Sequence, residues 1–139
     1  MALSLERMTR TADALELGRV RYAAGQFFEA HAVWEEAWRL ESGLPRRLLQ
    51  GLIMAAGAYH KMAARQPRGM VLLLERALER LAPIPEGFEG LELERFRAGL
   101  ASSLEEARAW LDGAPPPSGP APLGARLRAR PGGPGASSA

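Results

Sequence analysis

The stretch Gly25–Gln50, GQFFEAHAVWEEAWRLESGLPRRLLQ, decides how the rest of the chain is arranged. A glycine turn opens it and one dense helix follows. At 100° per residue, Phe27, Ala30, Trp34, Ala37 and Trp38 fall in a single apolar arc, which Val33 and Leu40 widen. Glu29, Ala32, Glu36 and Arg39 fall opposite and face water. His31 sits on one edge of the arc, Glu35 lies just beyond that edge, and Trp38 lies over it one turn on. Residues four apart are neighbours on a helix surface, so the His31 imidazole and the Glu35 carboxylate can touch. A carboxylate in that position fixes which ring nitrogen carries the proton. Phe28 lies off the main arc, so its exposure would be more telling than that of Trp34 or Trp38.

Working back toward the N-terminus, Leu3 to Ala24 reads as a helix capped by Ser4 or Thr9. Met8, Ala12, Leu15 and Arg19 form one row; Leu5, Leu17, Val20 and Tyr22 add apolar surface. Gly25 can end this helix in a left-handed conformation. The short link then folds the first two helices back as an antiparallel hairpin.

Working forward, Ser42, Gly43 and Pro45 break the chain, and a third helix runs from about Pro45 to Ala64. Between Leu48 and Tyr59 its only polar side chain is Gln50, the pattern of a helix with neighbours on every side. His60 closes it, in an arc with Ile53, Ala56 and Ala64. Arg46 and Arg47 stand in its first turn, where the helix dipole disfavours cations. They are either a solvated face or an anion site, and an acid such as Glu41, or a partner, would resolve the mismatch. Gln66, Pro67 and Gly69 form a second turn. Met70–Leu81 is the fourth helix and Leu91–Leu111 the fifth, separated by a break with Pro83 and Pro85, with Trp110 closing one end of the core. From Gly113 onward the chain is low in complexity and rich in Pro, Gly and Arg, as disordered segments are.

The expected architecture is therefore all-α. It is a single domain of five helices, residues 1–112, built as two antiparallel hairpins and a closing helix, with a disordered tail over 113–139. A chain of 139 residues is long enough for one such core. The absence of cysteine removes disulfides, thiolate metal sites and thiol nucleophiles. No apolar run has the length of a membrane span and the N-terminus has no signal-peptide core, so a cytoplasmic protein is expected. The sequence isoelectric point of about 9.7 comes from the tail. Up to Asp112 there are fifteen basic and sixteen acidic residues, so the body gives no reason to expect nucleic acid. Arg126, Arg128 and Arg130 are the one feature that points to it, and three charges make a small electrostatic footprint.

Two resemblances follow from these residues. Leu17-Gly18, then Gly25, Phe27, Ala30, Trp34 and Ala37, resemble the order and spacing of a tetratricopeptide-type helical hairpin, with a fainter echo at Ala77, Leu78 and Pro83. His31, Glu35, Trp38, Gln50-Gly51 and His60 resemble the bacterial family of domain of unknown function 309, over roughly residues 14–82. Members often carry an acid directly after the first histidine, where this chain has Ala32. The resemblance implies an all-helical domain and no particular activity.

Two functional readings compete for these side chains. In the first, the protein is an interaction or scaffold module. His31, Glu35, Trp38, Gln50 and His60 then form a buried polar network that fixes helix register and needs no cofactor. In the second, His31, Glu35 and His60 serve acid–base chemistry or hold a divalent metal such as Zn²⁺ or Mn²⁺ that activates water for hydrolysis. No H-E-x-x-H and no paired Glu-x-x-His accompanies them. Trp34 and Trp38 are either core or the lining of a pocket. Expected partners are another protein or a second copy, and no membrane.

Overall fold

The computed structural model describes residues 2–126. Side chains 2–5 and 7–9 lie outside the described set. With them go Met8 and Leu5 as inward positions; the first helix begins at Ala2, so Ser4 and Thr9 stand inside it and neither is its cap. Five α-helices follow one another: α1, Ala2–Ala23; α2, Phe27–Leu40; α3, Gly43–Ala63; α4, Pro67–Leu81; and α5, Leu93–Leu111. Each packs chiefly on its sequence neighbours, as short connections require. A 3-10 turn, Phe88–Gly90, precedes α5.

Gly25 has φ 77° and turns the chain between α1 and α2 as expected. α4 begins at Pro67, three residues earlier than the periodicity suggests. Proline is suited to that first position, because its fixed φ is helical and its missing N–H is not needed there. Arg46 and Arg47 are resolved in an unexpected way. Arg46 donates to the backbone carbonyls of Trp38 and Glu41, both 3.3 Å away, at the C-terminal end of α2. Arg47 donates to the carbonyls of Arg80 (2.8 Å) and Glu79 (3.0 Å), at the end of α4. The start of α3 lies beside the ends of both its neighbours. Cations that oppose their own dipole there satisfy the unpaired carbonyls of two others. Arg97 adds bonds to the carbonyls of Leu81 and Ile84.

α1 buries Thr11, Leu15, Gly18 and Tyr22, whereas Ala12, Leu17 and Val20 are exposed. The inward face is therefore turned by about one position from the row predicted through Ala12 and Arg19. Gly18 explains the turn. A Cβ there would fall inside the indole of Trp34, so the two helices close over a glycine. Trp34 is fully buried, and Tyr22 is the hub of the aromatic cluster beside it, meeting Trp34, Phe27, Tyr59 and Phe96 through edge-on and tilted contacts. Gly51 plays the same part at the α3–α4 contact, where a Cβ would come within 2.6 Å of Leu81. α3 buries eight residues, in keeping with its nearly unbroken apolar run. Trp110 is partly buried against the core.

The expected boundary at Asp112 is corrected. Residues 114–126 run back across α1 and α5 as an extended strap, with Ala121 and Leu123 buried. The Tyr22 hydroxyl donates to the Ala121 carbonyl at 2.6 Å, and Gly99 on α5 lets Ala121 approach to where a Cβ would stand 2.6 Å from it. The Glu92 N–H donates to Gly124, the Arg126 N–H donates to Gly90, and Leu91 and Ala125 form an isolated antiparallel bridge. Composition alone suggests disorder here, yet prolines in an extended chain need few partners, and two apolar side chains with three hydrogen bonds to the strap backbone hold it. Residues 127–139, the remainder of the tail expected to be disordered, lie outside the described residues.

Candidate functional site

The five residues singled out in the sequence lie on α2 and α3, and they form two separate groups. At one end, His31 Nδ1 stands 3.5 Å from Glu35 Oε2, a contact too long for a strong hydrogen bond. The other Glu35 oxygen accepts from Arg39 at 2.8 Å. His31, Glu35 and Arg39 thus form a ladder of i, i+4 neighbours on the outer edge of α2. The His31 and Glu35 side chains are 37% and 36% exposed, so the pair sits on the surface and is not the buried network expected from the sequence.

His60 is exposed at the last turn of α3. It is joined to His31 by an aromatic ring. Phe28 stacks against the His31 imidazole, with ring centroids 6.5 Å apart and planes 16° apart. It also meets the His60 ring at 6.2 Å and 48°. The two imidazoles therefore converge on one phenyl ring. Among the described residues no group of three or more His, Asp or Glu side chains is placed to hold a metal ion. Phe28 itself is 64% exposed. It borders a shallow depression of about 530 Å³ that includes His31, Ala32, Glu35, Glu36 and Arg39.

At the other end of α2, Trp38 packs against the core. The Arg46 guanidinium lies 3.9 Å above its ring, a cation–π contact. Its indole N–H is buried and has no partner among the described residues. Gln50, half-buried on α3, is one turn beyond Arg46 and about 15 Å along the helix axis from His60. Trp38 and Gln50 thus belong with Arg46 and not with the histidines.

Sequence reasoning left Phe28 outside the site and did not place Arg46 on Trp38. The signal for Phe28 was available: a large apolar residue outside the buried arc, one turn before a histidine. The link between Thr11 and Glu41 had no signal. The Thr11 hydroxyl, 5% exposed, donates to the Glu41 carboxylate at 2.5 Å and ties α1 to the end of α2.

Fold and site together define a small all-α protein of sequential helical hairpins that displays an imidazole-flanked aromatic on its surface. Residues 15–73 match the family model described as Domain of unknown function (DUF309), as the residue pattern anticipated, and the match contains every residue of both groups. The chain is also 31% identical over 98 residues to an uncharacterised protein of Aquifex aeolicus (strain VF5). That alignment covers 70% of this chain and 29% of the relative, so the chain spans less than a third of the protein it matches. No helix among the described residues is long and apolar enough to cross a membrane.

Proposed function

We propose that this protein is an interaction module whose contact point is Phe28, steadied by His31 and His60. The observation that carries the reading is the exposure of this phenyl ring between two imidazoles from different helices. A large apolar side chain costs free energy when left in water, and a ring already held in place loses little freedom on binding. Aromatic anchors of this kind dominate binding energy at interfaces. The ladder His31–Glu35–Arg39 supplies a polar rim, and Glu29 and Glu36 bias the surrounding face toward a partner segment with basic character. The partner is a protein that offers an apolar side chain to Phe28.

The competing hydrolytic or metal-dependent reading needs a third ligand or a deep pocket beside the histidines. The ring between them and the openness of the depression favour recognition instead. Calorimetric titration of untagged protein with Zn²⁺ and with Mn²⁺ separates the two. The module reading expects no stoichiometric binding. A saturable site abolished by both His31→Ala and His60→Ala would establish the metal reading. Affinity capture with wild-type and Phe28→Ala baits tests the module itself. The variant is expected to keep its melting temperature and to lose the wild-type partner.

A further inference from the structure

We propose that the channel under the strap is a peptide site that reads sequence, and that it accepts residues 114–126 of a second copy as it accepts its own. Its walls are α1, α5 and the turn Phe88–Gly90, all of which belong to the helical body. Residues 90–92 pair with the strap as with an added strand. The Glu92 N–H donates to the Gly124 carbonyl at 2.9 Å, the Arg126 N–H donates to the Gly90 carbonyl at 2.7 Å, and Leu91 bridges Ala125. Backbone bonds of this kind hold any extended segment, and alternate side chains then decide which one. Ala121 is buried directly against Gly99, so a longer side chain at 121 would run into α5. Leu123 is buried and fills the apolar position two residues on. A Cβ on Gly124 would strike the Glu92 carboxylate, and Arg126 lies 3.3 Å from Glu86 and 4.0 Å from Glu92. The channel therefore selects a small residue, then Leu-Gly after one free position, then a basic residue after another.

Every copy of the chain carries a segment that meets these requirements, and the join to α5 is built to release it. Asp112, Gly113, Pro115 and Pro116 are exposed. Gly113 has φ 102°, a conformation that residues with side chains avoid, and this turn brings the strap back onto its own body. With Gly113 at an ordinary negative φ, the proline run Pro115–Pro117 extends away at about 3.1 Å per residue and presents the strap to another molecule. Exchange replaces each strap contact by its identical counterpart, which makes it a low-cost route to a dimer.

Two full-length variants with complementary lesions test this. Leu123→Asp spoils the strap and leaves the channel; Gly99→Leu fills the channel and leaves the strap. By light scattering each alone is expected to be a monomer of 15.0 kDa, and their equimolar mixture is expected to pair. Phe28→Ala in both chains leaves that pairing intact, which separates this site from the one proposed above. A fluorescent peptide of residues 114–126 is expected to bind the Leu123→Asp chain at least roughly tenfold more tightly than the Gly99→Leu chain, and Ala121→Leu in the peptide to weaken binding by a similar factor. This measurement needs only the Leu123→Asp chain to fold, which circular dichroism checks, and Ala121→Leu in the full chain provides a second released strap. In the otherwise unaltered chain, Gly113→Val is expected to shift monomer toward dimer at fixed concentration, because the exchanged form alone relieves its strain. A mixture that stays monomeric, a peptide that ignores the open channel or binds equally well with Ala121→Leu, or a Gly113→Val chain no more dimeric than wild type would each overturn the proposal.

Discussion

Phe28 and Gly18 stand one helix apart and represent opposite kinds of importance. Phe28 is exposed and makes no contribution to the core, so its replacement by alanine is expected to leave thermal unfolding within about 0.5 kcal/mol of wild type. Gly18 faces the Trp34 indole, and a larger residue there must displace a ring that has nowhere to move. Gly18→Val is expected to destabilise by roughly 1–3 kcal/mol or more, measured by urea unfolding. Trp34→Ala opens a cavity at the same contact and is expected to cost about 3–5 kcal/mol. Equal stability of Gly18→Val and wild type would mean that the α1–α2 contact is looser than described. At this scale the sequence was readable where side chains repeat at helical spacing. Trp34, Ala30 and Ala37 are buried as their positions required. His60 was misplaced because periodicity reports the angle around a helix and not whether a neighbour extends that far along it. The third helix outruns its cover at that last turn, and the imidazole emerges.

Helix ends govern the element scale. Three arginines, Arg46, Arg47 and Arg97, donate to carbonyls where α2 and α4 finish. Arg47→Ala removes two such bonds and is expected to cost about 1–2 kcal/mol, with Arg47→Lys recovering only part because one ammonium cannot reproduce the fork. The start of α5 shows the reverse arrangement. The Glu86 carboxylate accepts from the Glu94 N–H at 2.9 Å, and that backbone bond is the main reason its pKa is held below the ordinary carboxylate value; the nearby Arg126 adds to the effect. A carboxyl with a lowered folded-state pKa favours folding while ionised. Its contribution is complete above the unfolded-state pKa and disappears as pH falls through the folded-state pKa. Glu86→Gln is therefore expected to unfold less steeply with acid than wild type below about pH 4.5, the ordinary value for this group. Parallel acid-unfolding curves would show that Glu86 carries no such linkage. These caps were hidden in the sequence because each joins a side chain to a different helix or loop, outside the i, i+3 and i, i+4 spacings that periodicity reports. Only the mismatch of Arg46 and Arg47 with their own helix dipole hinted at one.

Across the whole molecule, the five helices and their hairpin order followed from hydrophobic spacing and breakers, since each packs on the next in the chain. The strap did not. Composition marks residues 113–126 as unstructured, but their order depends on a tyrosine hydroxyl and a glycine contributed by α1 and α5. A chain ending at Asp112 loses the Tyr22–Ala121 bond and the burial of Ala121 and Leu123, a loss of roughly 1–3 kcal/mol. It is expected to melt at lower temperature than a chain ending at Arg126, and identical melting would show that the strap rests on the core without supporting it.

The strap also sets an order of events during biosynthesis. Residues 114–126 leave the ribosome after all five helices, so every new chain passes through a stage in which Tyr22 and Gly99 face solvent. Throughout that interval an extended, proline-rich segment of another polypeptide could lie in the vacant channel. A fusion joined directly behind Asp112 would hold the protein at that stage permanently, whereas one joined behind Arg126 would let it finish.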